Sequence, residues 1–335
     1  MKIASVTRHL ALMQTRIIAA GLGRFEGDVD RFAIFALIMR ETLRGGSRTK
    51  GISMHSMAIS LSRSFETVRR HVKALISAEL CARVQGGVVV HPDVFTRPDI
   101  QRLMTLTHDS FVAFAQGLRD AGELPPIRAA AEIYLPTAGI GAAVDVMLGT
   151  VESNRAIHGS WLDLVLFSTI LCGNLDRQAA LCDAPTDPNA RIQFSGVHAI
   201  RASTLTRVLN LPETTVRRRL TRLSAAGGPV QRLRQGFVIH AAWMNREDAV
   251  ETSARTASTV RLALAAAAVQ GFPFDRIESA YLDGPPPPVA FDNRVAACAP
   301  ALFAAGSCDR TRRRDDQGES IGAVAMRFLP DRLAT

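Results

Sequence analysis

Two ten-residue runs, ETVRRHVKAL at 66–75 and TTVRRRLTRL at 214–223, set adjacent arginines at the same phase of an apolar stripe. A guanidinium stays charged and offers its donors in a planar fork. That fork suits paired acceptors: a carboxylate, a phosphate or the edge of guanine. In the first run Val68, Val72 and Leu75 recur at i, i+4 and i+7, the buried stripe of an amphipathic helix. Phe65, Glu66, Arg69, Arg70 and Lys73 then face outward. In the second run Val216, Leu220 and Leu223 form the stripe, and Glu213, Thr214, Arg217, Arg218 and Thr221 are presented. The plain alternative is a charged helix face that meets only water.

Charge is concentrated around both runs. Residues 40–73 hold eight Arg/Lys against two acids, and residues 201–236 hold eight against one, nets of +6 and +7. The whole chain carries +9, so everything outside these stretches is net acidic. Only Lys2, Lys50 and Lys73 are lysines. A GC-rich genome alone produces such an arginine bias, so position rather than number points to a polyanionic partner.

These runs need elements to hold them, and an internal repeat supplies the plan. At the 148-residue offset that superposes the runs, Ile52 falls on Ile200, Met57 on Leu205 and Leu61 on Leu209. One residue further on, at offset 149, GVVVH ending at His91 matches GFVIH ending at His240, and Gly122 matches Gly271. The only two tyrosines, Tyr134 and Tyr281, each precede a leucine at offset 147. Within the first copy the patterns predict helices over 31–44, 53–61 and 64–78, with Ser64 as N-cap, then a hairpin over 81–91 turning at Gly86-Gly87. The second copy predicts helices Trp161–Cys172, Arg201–Leu209 and Pro212–Ala225, a long loop at 176–197, and a hairpin turning near Gln235-Gly236. Further helices are predicted at Pro98–Arg119 and Glu247–Val269; residues 259–269 are apolar almost throughout, which implies burial.

MAISLSRSFETVRRHVKALISAEL and LTRVLNLPETTVRRRLTRLSAAG each resemble the helix-turn-helix core of bacterial winged-helix regulators, broadly of the GntR and MarR kind. The expected fold class is therefore mainly α with small β-hairpin wings, as two tandem winged helix-turn-helix units related by internal duplication. The expected division is a helical segment at 1–29, a first unit at 30–150, a second at 151–306, and a linker and tail at 307–335. The resemblance implies sequence-specific recognition of double-stranded DNA by a transcription regulator. Plasmid-type replication initiators, which also carry tandem winged helices, are one alternative, and a protein-interaction scaffold is another. Arg69 and Arg217 are the candidates for base edges, with Arg70 and Arg218 nearer the phosphates. Ser64, Glu66, Thr67, Lys73, Thr214 and Thr215 complete the two helix faces, Arg48 and Lys50 add a glycine-flanked loop, and Arg232 and Arg234 a wing tip.

In related regulators the helices that follow the wings form dimer interfaces, so the two repeats are expected to pack as a pseudo-dimer, with further self-association left open. A small-molecule effector pocket between the units, lined by Tyr134, Trp161 or Tyr281, competes with these three being core residues. His91 and His240 are expected as strand-end residues rather than metal ligands. Cys81, Cys172, Cys182, Cys298 and Cys308 lack CxxC spacing and read as reduced thiols, in preference to a Cys172–Cys182 redox pair. No nucleophile motif, P-loop or dinucleotide fingerprint appears, so neither an enzyme nor a cofactor is expected. The N-terminus does not read as a signal peptide and no segment approaches ~20 apolar residues, so a cytoplasmic protein without membrane partners is expected.

Overall fold

The computed structural model describes residues 3–45, 51–125, 133–181 and 193–293, over which the chain is mainly helical with two small antiparallel hairpins. One order of elements occurs twice. The first series runs α1 (Ile3–Arg24), α2 (Val29–Gly45), α3 (Met54–Leu61), α4 (Phe65–Ser77), β1 (Cys81–Val84) and β2 (Gly87–Val90), and after a 3-10 turn ends in α5 (Pro98–Asp120). The second runs α6 (Pro136–Asn154), α7 (Trp161–Leu181), α8 (Ala202–Leu209), α9 (Glu213–Leu223), β3 (Val230–Leu233), β4 (Gly236–Ile239), the one-turn α10 (Ala241–Met244) and α11 (Glu247–Val269). A 3-10 turn at Ile277–Ala280 follows.

The same local devices recur at matching places. The turns after α3 and α8 each need one left-handed residue, Ser62 and Asn210, both at φ 50°. Each hairpin gains a one-residue third partner: Ile52 exchanges two backbone hydrogen bonds with Val88, and Ile200 does so with Phe237. Glycine is required beside these bridges, because a Cβ on Gly87 or Gly236 would come within 2.5 Å of the Ile52 or Ile200 main chain. The hairpin tips are Gln85-Gly86 and Arg234-Gln235, one residue earlier than expected, because Gly87 and Gly236 belong to the strands. Thr42 on α2 accepts the Val90 N–H at 3.0 Å; Asn174 on α7 accepts the Ile239 N–H at 2.9 Å. Asn174 turns inward to this contact, and α7 continues to Leu181 rather than ending at Cys172. Of the long loop expected at 176–197, residues 182–192 lie outside the described residues.

One continuous apolar core joins the two series. α1 packs on α5 of its own series and on α7 of the other, and α6 packs on α11 of its own series and on α2 of the other. Phe25, Phe35, Phe111, Phe114 and Phe272 are buried in it, each contributing about 1.5–3 kcal/mol relative to exposure. The burial expected for all of 259–269 is one-sided: Val260, Ala263, Leu264, Ala267 and Ala268 are buried, whereas Leu262 and Val269 are exposed. A helix rich in alanine is apolar all round, but its main partner is α6, with smaller contacts to α1 and α10. His91 and His240 cap the turns after the hairpins, each Nδ1 accepting a backbone N–H at 3.3 Å. No helix among the described residues is long and apolar enough to cross a membrane.

Candidate nucleic-acid interface

Ser64 sets the start of α4. Its hydroxyl oxygen accepts the Thr67 N–H at 3.1 Å and lies 2.8 Å from the Thr67 hydroxyl. Val68, His71, Val72 and Leu75 are buried beneath, and Arg69, Arg70 and Lys73 project from the exposed face. Arg69 is held by its own helix: Nε and Nη2 donate to the two Glu66 carboxylate oxygens at 2.7 and 2.8 Å. Those hydrogen bonds keep the Glu66 carboxyl below the usual carboxylate range. Arg70 Nη2 lies 3.4 Å from His71 Nε2, and Lys73 makes no ion pair among the described residues. Arg48 and Lys50 lie outside the described residues.

In the second series Pro212 occupies the cap position of α9 and offers no side-chain hydrogen bond. Arg217 Nε donates to Glu213 Oε1 at 2.7 Å, the counterpart of the Arg69–Glu66 pair. Thr214 and Arg218 are exposed and Thr215 is half-buried. Between α9, the start of α8 and the hairpin lies a cleft of about 320 Å³. Four arginines line it: Arg201, Arg217, Arg232 and Arg234. No acidic residue is on its lining, and Arg218, Arg232 and Arg234 make no ion pair among the described residues. Such a cleft attracts anions.

No protein-family model, curated protein or solved structure matches the chain.

The geometry divides the basic residues that the sequence groups together. Arg219 Nη1 reaches the buried carboxylate of Asp163 at 3.3 Å, and Arg222 pairs with the same carboxylate. Arg207 donates to the Asp292 carbonyl at 2.8 Å. In the first series Arg40 and Arg44 both pair with Asp145, while Arg63 pairs with Asp30 at 2.7 Å and stacks 4.4 Å over the Trp161 ring. These six arginines hold the fold together. Among the described residues the outward set keeps Arg69, Arg70, Lys73 and Arg83 in one series, and Arg201, Arg217, Arg218, Arg232 and Arg234 in the other.

Arg201 is the residue that sequence reasoning missed. At offset 148 it falls on Ser53, which caps its own helix by accepting the Ser56 N–H. For α8 the cap comes from elsewhere: Asn293 Oδ1 accepts the Arg201 N–H at 3.2 Å and the Thr204 hydroxyl at 2.8 Å. No sequence signal marks Arg201, since Arg97 and Arg246 stand at helix starts in the same way without a side-chain cap.

No group of three or more His, Cys, Asp or Glu among the described residues is placed to hold a metal ion. Cys81 and Cys172 are buried and unpaired, with burial pushing both thiols up to about 12. Cys182, Cys298 and Cys308 lie outside the described residues. None of Tyr134, Trp161 and Tyr281 lines a described pocket. The Tyr134 hydroxyl lies 2.8 Å from His108 Nε2, Tyr281 donates to Gln116 at 2.7 Å, and Trp161 carries Arg63.

Proposed function

We propose that this chain is a cytoplasmic, sequence-specific DNA-binding transcription regulator, built from two winged-helix units related by duplication. In this reading α4 and α9 are the recognition helices and the two hairpins are the wings. The observation that carries it is the cleft between α9 and its hairpin, where four arginines converge on a recognition helix and a wing at once. Double-stranded DNA is a polyanion that such a lining attracts, and bidentate arginine contacts supply ~1–3 kcal/mol of base discrimination each.

Duplication is supported by devices that no fold-independent pressure would repeat: Ser62 with Asn210, Gly87 with Gly236, and Thr42 with Asn174. The packing favours grouping α1 with the first unit and α6 with the second, one helix earlier than boundaries at 30 and 151. Each unit then lends its first helix to the other, which makes one chain a pseudo-dimer facing two half-sites about 10 bp apart.

Fluorescence anisotropy at about 150 mM salt, on duplexes from a genomic selection and on scrambled duplexes, tests the reading. Selected duplexes should bind at least ~10³-fold tighter than scrambled ones, and the joint substitution Arg69→Ala, Arg217→Ala should remove the difference. Equal, salt-abolished binding to all duplexes would reduce the interface to a bare basic surface and favour the scaffold reading.

A further inference from the structure

A second cavity, of about 130 Å³, lies on the opposite kind of surface: it is walled by α1, α6, α7, α10 and α11. Leu10, Leu164 and Leu171 supply aliphatic wall, and the rings of Phe167 and Trp243 stand against each other with centroids 5.1 Å apart. His158 packs against both rings and is pushed down to about 4 by burial, so it adds no charge near neutral pH. No residue on the lining carries a formal charge.

The polar groups on this wall differ in one respect. Asn154 donates to the Thr150 carbonyl and the Thr256 hydroxyl, while Thr150 and Thr256 donate to carbonyls one turn back. Gln14 is only 5% exposed, lines the cavity, and makes no hydrogen bond among the described residues. Its amide opens onto the cavity, so its donors and acceptor face whatever polar group occupies that space.

We propose that the cavity binds a small uncharged aromatic molecule bearing one hydroxyl or amide, with Gln14 as its hydrogen-bonding anchor and Phe167 and Trp243 as its stacking wall. The size follows from the volume, since a cavity near 150 Å³ accommodates a benzene-sized ring. Neutrality follows from the lining, because an ionised ligand would meet no compensating charge. The proposal does not depend on DNA binding.

Phenol is the probe, titrated calorimetrically into the full chain near neutral pH, with benzoate as the charged counterpart and toluene as the apolar one. Phenol should bind with a dissociation constant on the order of a millimolar or below, and benzoate at least about tenfold more weakly. Gln14→Leu should weaken phenol about tenfold and leave toluene unchanged. Ala257→Phe, on the cavity wall, should abolish binding of both. Absence of phenol binding, benzoate binding as tightly as phenol, or phenol binding that survives Ala257→Phe would each overturn the proposal. Should Gln14→Leu fail to fold by circular dichroism, the Ala257→Phe and benzoate results still decide it.

Discussion

At the cap of the helix before the turn, one series has Ser53 and the other Arg201. Much of what separates the two halves follows from such exchanges. Ser53 closes its own helix end, whereas Asn293 closes the end at Arg201 and leaves that side chain to the cleft. The hairpins differ in the same sense: Arg83 and Gln85 stand near one tip, Arg232 and Arg234 at the other. Among the described residues, outward positive charge therefore clusters around both helix and wing in the second series, whereas the first wing carries Arg83 alone beside its helix. Each basic stretch commits three arginines inward, Arg40, Arg44 and Arg63 in one and Arg207, Arg219 and Arg222 in the other, while Arg48 and Lys50 of the first lie outside the described residues.

The sharpest test of that asymmetry removes each outward set in turn. Replacing Arg201, Arg217, Arg232 and Arg234 by alanine should weaken duplex binding about 10³-fold at about 150 mM salt, against about 10²-fold for Arg69, Arg70 and Lys73. The salt dependence should flatten more in the first variant, by about 0.9 in log–log slope for each phosphate that no longer meets a guanidinium. Equal reductions, or the reverse order, would break the comparison.

The halves also differ in how the helix-turn-helix is tied to the helix behind it: through the recognition helix in the second series and through Arg63, in the turn before it, in the first. Asp163 is buried and serves Arg219 and Arg222, whereas Asp30 is part-exposed and serves Arg63. Asp163→Asn should cost about 2–3 kcal/mol in urea unfolding, below the full range for a buried pair because Arg222 is largely in solvent. Asp30→Asn should cost about 1 kcal/mol. Similar costs for both would mean that the two are tied equally firmly.

Helix starts give a smaller contrast. Ser64→Ala removes a capping hydrogen bond and should destabilise the chain by about 1 kcal/mol. Pro212→Ala removes none and should stay within about 0.5 kcal/mol. Thermal unfolding of the two variants side by side checks this.

Helix order, hairpins and the phase of the two arginine faces were legible because each is written locally, in apolar periodicity, caps and glycines. The stripe of Val68, Val72 and Leu75 needs no knowledge of the rest of the chain. What was not legible depends on residues far apart in sequence. That Arg219 and Arg222 are tied down rests on a carboxylate more than 50 positions earlier, and the release of the Arg201 side chain from capping rests on Asn293. The exposed side of α11 could not be read either, since an alanine-rich helix does not declare which face has a partner. Nor could the cavity at Gln14, which needs five helices to form.

The smallest predicted effect concerns the two clasps, and it bears on what the recognition helices do at rest. Glu66 and Glu213 sit one turn before Arg69 and Arg217 and hold them along the helix surface. An arginine so held is preorganised, yet it must exchange a carboxylate for a phosphate or base edge on binding, and the carboxylate itself repels the DNA backbone. Both effects oppose binding, and solvent screens both because the pairs are exposed. Glu66→Gln and Glu213→Gln should therefore tighten binding to scrambled duplexes about threefold each, measured by anisotropy. Selected duplexes should gain less, because a glutamate near the groove also rejects sequences that offer it no donor. If both substitutions instead weaken selected duplexes by tenfold or more, the glutamates are themselves reading cytosine, and the arginines are there to position them.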